Sequence, residues 1–71
     1  MDEFTGYSVT LVVGGALFEE YLFEDFYNAF DCFNELADEL PADGKLDGED
    51  YTLELFDCWR HDVLFRYPRS L

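Results

Sequence analysis

Residues Phe23 to Leu40, FEDFYNAFDCFNELADEL, repeat their apolar side chains with the period of an α-helix. Phe26, Ala29, Phe30, Phe33, Leu36, Ala37 and Leu40 fall at i, i+3, i+4, i+7, i+10, i+11 and i+14 and make one stripe. At ~100° per residue, Glu24, Asp31, Glu35, Asp38 and Glu39 gather within roughly a 100° arc on the other side, and no Lys or Arg interrupts them. The spacing predicts a helix that starts at Asp25, whose carboxylate caps free N–H groups of the first turn. Phe23 is placed to pack back on that turn, and Pro41 stops the helix after Leu40. Asp38 and Glu39 then sit at the negative end of the helix dipole, at a cost of a few tenths of a kcal/mol.

A helix with one apolar flank needs a layer to cover it, and the rest of the chain reads as strands. Tyr7, Val9, Leu11 and Val13 alternate with Ser8, Thr10 and Val12. Gly14-Gly15 then supplies the two positive-φ positions of a tight hairpin, and Ala16–Phe23 returns with imperfect alternation. A helix starting near Leu17 instead would exceed twenty residues, well beyond the ~11–12 average. Residues 41–50, PADGKLDGED, read as a Gly/Asp-rich loop. Tyr51, Leu53 and Leu55 alternate with Thr52, Glu54 and Phe56 in a third strand. Val63, Phe65 and Tyr67 alternate with Leu64 and Arg66 in a fourth, ended by Pro68. The expected fold is α+β, a single domain over residues 1–71 of order ββαββ, with one helix packed across a four-stranded antiparallel sheet.

Charge narrows the function classes. Seventeen acids face four bases in 71 residues, a net charge of −13. All four bases (Lys45, Arg60, Arg66 and Arg69) follow residue 44, while the preceding residues hold eleven acids. Direct binding of nucleic acid or of an anionic membrane is disfavoured by repulsion. A basic protein surface is the natural partner. An aromatic share of 20% argues for a packed globule rather than an acidic disordered tail. Met1-Asp2-Glu3 is not a signal-peptide start, no apolar run approaches a membrane span, and two cysteines make no disulfide framework. The expectation is a reduced, cytoplasmic setting.

Several constellations carry weaker chemistry. Asp43, Asp47, Gly48 and Glu54 match four positions of a calcium loop, but Lys45 stands where an oxygen ligand is needed. His61 beside Asp57, Asp62 and Cys58 has the residue types of a base–nucleophile pair without an oxyanion donor set or a pocket. Cys32, Cys58 and His61 lack the paired spacing of a zinc site. Neither catalysis, nor a cofactor, nor a metal is expected. Trp59-Arg60 in a turn suits either an interface or a side chain folded over the core edge.

The acid-lined helix is the remaining signal. Ordinary surface helices interleave Lys or Arg at i+4. Here four carboxylates, Asp31, Glu35, Asp38 and Glu39, span ~12 Å of helix, against one charge per ~1.7 Å of duplex axis. By its length, its charge and the acids of residues 19–39, the chain resembles small acidic anti-defence proteins of phages and mobile elements, the DNA-mimic anti-CRISPR and anti-restriction families. That resemblance implies a non-enzymatic inhibitor in the cytoplasm of a host cell. It would occupy the basic nucleic-acid-binding groove of a CRISPR effector or restriction enzyme. The expected contact residues are Glu19, Glu20, Glu24, Asp31, Glu35, Asp38 and Glu39. Two other readings compete: a halophilic protein acidic for solubility, and a homodimer joined through its second hairpin with Trp59 and Phe56 as anchors.

Overall fold

The computed structural model describes residues 5–68. Strands β1 (Tyr7–Val13) and β2 (Ala16–Phe23) form a hairpin, helix α1 (Phe26–Glu39) follows, and β3 (Lys45–Leu46), β4 (Glu49–Asp57) and β5 (Asp62–Tyr67) complete the chain. The fold is α+β, with the helix packed against an antiparallel sheet. β1 and β4 are the central strands. β2 borders β1, while β3 and β5 share the far side of β4, one at each end.

The expected elements are present, with one addition. Residues 41–50 are not all loop: Lys45 and Leu46 pair with Asp50 and Glu49, so the third long strand starts at Glu49 rather than Tyr51. The reason lies in Asp47-Gly48, which take φ values of 51° and 84° and close a second tight hairpin. Gly14 and Gly15, at 60° and 83°, do the same for the first. The imperfect alternation of β2 resolves into a bulge. Leu11 lies opposite Glu19 and Val12 opposite Leu17, which leaves Phe18 as the extra residue.

Register explains the core. Tyr7, Val9, Leu11 and Val13 stand opposite Asp57, Leu55, Leu53 and Tyr51, so all eight point to one face. Val9, Leu53 and Leu55 are fully buried there, beneath Ala29 and Phe33 of the helix. The helix starts as its cap requires: Asp25 is extended, and its Oδ2 accepts from Asn28 N at 3.1 Å. On the β5 side a few rings bridge the helix to the sheet. Phe65 lies 5.3 Å from Phe30 and 6.1 Å from Phe33, and Phe30 stacks on Phe26 at 5.5 Å. The buried Tyr51 hydroxyl donates to the Pro41 carbonyl, which ties the chain leaving the helix to the sheet below it.

Candidate acidic interface

The core stripe fixes where the acids of α1 point. With Ala29 and Phe33 buried against the sheet, Asp31, Glu35, Asp38 and Glu39 are left exposed on the outer face, and Glu24 is exposed just before the helix. Glu19 adds to this flank from β2. It stands opposite the core residue Leu11 and therefore points to the helix side of the sheet, where the Tyr21 hydroxyl donates to it. Tyr21 stands opposite Val9 and so shares that side.

Glu20 departs from the expected group. It pairs in register with Thr10, on the face away from the helix, in a row that continues through Glu54 to Arg66. The alternation of a strand sends neighbouring side chains to opposite faces, so Glu19 and Glu20 cannot serve one surface. Glu19, Asp31, Glu35, Asp38 and Glu39 therefore share the helix side, Glu24 is exposed in the link between β2 and α1, and Glu20 faces away.

Tyr27 was not anticipated at this face. It is 74% exposed and lies one turn before Asp31. The signal was its position off the apolar stripe: an aromatic residue there has no core to enter. It gives the acidic flank a large rigid contact group of the kind enriched at interfaces.

The cations lie elsewhere. Arg66 reaches Glu54 with Nη2 at 2.7 Å and Nε at 2.8 Å, and Lys45 pairs with Asp50. Neither ion pair engages any of the seven carboxylates. Arg60 is exposed in the turn between β4 and β5. Among the described residues positive charge is thus held in β3, in β5 and in the turn between β4 and β5, and no acid of the outer helix face is in an ion pair.

The residues of the other constellations are placed by their own local contacts. The buried Asp57 carboxylate accepts from Trp59 N at 3.0 Å and Arg60 N at 3.1 Å, so it organises the turn rather than orienting His61. His61 is exposed with φ of 59°, its ring edge-on to Phe56. Asp43 accepts from Lys45 N at 3.0 Å, while Glu54 is taken by Arg66, so the calcium-like set is parted. Among the described residues no three His, Cys, Asp or Glu side chains are placed to hold a metal ion. Trp59 does not fold over the core edge; it is 70% exposed. An open cleft of about 1000 Å³ lies between α1 and β5, lined mainly by Phe30, Phe33, Ala37, Phe65 and Tyr67, with Asn34 and Arg66 as its polar members. No helix among the described residues is long and apolar enough to cross a membrane.

Among the described residues four groups hold their protons more tightly in the fold than in free solution. Burial, then the charges of Glu35 and Glu19, raises the Cys32 thiol above 9.0. The hydrogen bond to Glu19 raises Tyr21 above 10.0, and burial raises Tyr51 above the same value. The contact with Asp50 raises Lys45 above 10.5. In each case the unfolded chain gives up its proton at a lower pH. The stability these groups contribute is complete below about pH 9 and is lost as pH climbs through the unfolded values toward the folded ones. Melting temperature is therefore expected to hold between pH 7 and about 8.5 and to fall steadily from about pH 9 to 11. A melting temperature that rises over that range would contradict the assignment.

Comparison of the chain with protein-family models, with curated proteins and with solved structures gave no match.

Proposed function

We propose that this protein is a non-catalytic inhibitor that seats its acidic helix face in a basic nucleic-acid-binding site of a host defence protein. The observation that carries the reading is the separation of charge. Among the described residues Glu24, Asp31, Glu35, Asp38 and Glu39 are exposed and none is in an ion pair, while Lys45 and Arg66 are taken up by Asp50 and Glu54 of β4. A net charge of −13 keeps such a protein off nucleic acid itself and draws it to clefts that hold phosphates. A helix fixes the backbone that carries the carboxylates in advance, so only their side-chain rotamers are ordered on binding. Exposed Tyr27 supplies contact area that charge alone lacks. The resemblance to DNA-mimic anti-CRISPR and anti-restriction proteins supports the same mode of action, occupation of the site rather than chemistry.

The test is competition. The protein is immobilised and offered a bacterial lysate at low salt, and retained proteins are then challenged with duplex DNA at the same salt. A partner bound through its phosphate-binding groove is released by the duplex, and its capture is lost above a few tenths molar salt. A partner that stays bound when the duplex is saturating would overturn the mimicry.

A further inference from the structure

We propose that the outer edge of β2 is a strand-addition site for an extended segment of a partner protein, one that carries two adjacent cationic residues flanked by apolar ones. The proposal deepens the reading above and rests on it for the charge of the partner; the edge itself is an independent feature.

Among the described residues β2 is the last strand on its side of the sheet, paired on one side only, with β1. Every second residue of such a strand directs its N–H and C=O away from the sheet, a ready template for another strand. Eight residues is long for an exposed edge. It is also unusually apolar: Leu17 is 59% exposed, Phe18 63%, Leu22 58% and Tyr21 39%. Isolated exposed apolar residues need no explanation, but here four flank Glu19 and Glu20 on one edge strand, with Leu17 and Leu22 on the face away from the helix and Tyr21 on the helix side.

Glu19 and Glu20 decide what the edge accepts. A second copy would pair with it about a two-fold axis perpendicular to the sheet. For the strands to overlap fully, that axis passes through the middle of Ala16–Phe23, at Glu19 or Glu20. A glutamate then stands directly opposite its own copy, which is destabilising. The two glutamates therefore close the edge to self-association. An incoming strand with Lys or Arg at the two positions opposite them gains instead of losing. One cation meets Glu19 on the helix side, and the other meets Glu20 on the far face. Apolar side chains on either side of the cationic pair meet Leu17, Phe18 and Leu22. Main-chain hydrogen bonds supply affinity, and the central charges supply choice of partner.

The probe is a blocked octapeptide with Lys-Arg at its centre and Val, Ile, Tyr and Thr around it, titrated into the intact protein at low salt and followed by NMR of the β2 amides. Two further peptides carry N-methyl groups on alternate amides, one set for each edge of the peptide strand. Only the edge facing β2 donates to it. One methylated peptide is thus expected to lose about tenfold or more in affinity, while the other stays within roughly threefold of the parent. The parent is expected to protect outward-facing β2 amides from exchange. Any other pattern overturns the site. Parent and both methylated forms binding alike would mean that charge alone attracts the peptide, so the edge would fail while the acidic-face reading stood. No peptide binding alongside DNA-displaceable capture of a protein would also remove the edge and leave that reading intact.

Discussion

Leu53→Ala is expected to leave the chain largely unfolded at 25 °C in low salt. Leu53 is fully buried in the middle of β4, between β1 on one side and β5 on the other, with its side chain under the helix. Truncating such a leucine costs roughly 2–5 kcal/mol, from the lost transfer energy and the cavity left behind. A chain this small has little to lose. At the usual stability per residue it holds roughly 4–10 kcal/mol, and domains below ~80 residues sit at the low end. Its own charge, −13, lowers that further. Among the described residues the buried apolar side chains Val9, Leu11, Ala29, Phe33, Tyr51, Leu53 and Leu55 form one cluster, with no second core to fall back on. Leu17→Ala is the control. Leu17 is 59% exposed, and its truncation is expected to stay within about 0.5 kcal/mol. Urea unfolding followed by circular dichroism separates the two. A midpoint for Leu53→Ala close to that of the parent would mean that the sheet is not assembled as described. Added salt should recover part of the loss, because it screens the repulsion without refilling the cavity.

How much of this was legible beforehand depends on how local each feature is. The helix was legible from end to end, because its stripe, its Asp25 cap and Pro41 all act within a few residues of one another. The first hairpin was legible because Gly14-Gly15 states its turn geometry outright. β3 was not. A two-residue strand has no period to detect, and Asp47-Gly48 looked like two more residues of a polar loop. The bulge at Phe18 showed only as broken alternation in ALFEEYLF, and the pairing with Leu11 and Val12 that resolves it is a tertiary fact. The same bulge-free stretch after Phe18 decides the faces of Glu19 and Glu20. Charge counting puts both in one acidic patch, and strand alternation puts them on opposite sides of the sheet. Trp59 suited either an interface or the core edge and Tyr27 lay off the apolar stripe, and each is exposed because its position in the turn or on the helix points away from the core.

Reversing charge on the outer helix face is the sharpest way to separate a shaped interface from acidity in general. Asp31→Lys with Glu35→Lys is expected to weaken capture of the DNA-displaceable partner by about 100-fold, or roughly 2.7 kcal/mol. Two attractions become two repulsions, a change of four charge units, and at a protein surface each unit is worth a fraction of a kcal/mol to about 1 kcal/mol. The matched control is Glu49→Lys with Asp62→Lys, two exposed acids on β4 and β5. It makes the same change in net charge away from the helix. If acidity served only solubility, both pairs would shift binding equally, through the long-range field, and salt would erase the difference. An interface confined to the helix predicts a large loss for the first pair and a few-fold loss for the second. Unfolding does not confuse the comparison. Lys at position 35 would stand three and four residues before Asp38 and Glu39, so the reversed helix gains pairings it lacks now, and its stability should rise rather than fall. A helix-reversed variant that melts higher than the parent and still binds the partner as tightly would remove the acidic face as the point of contact.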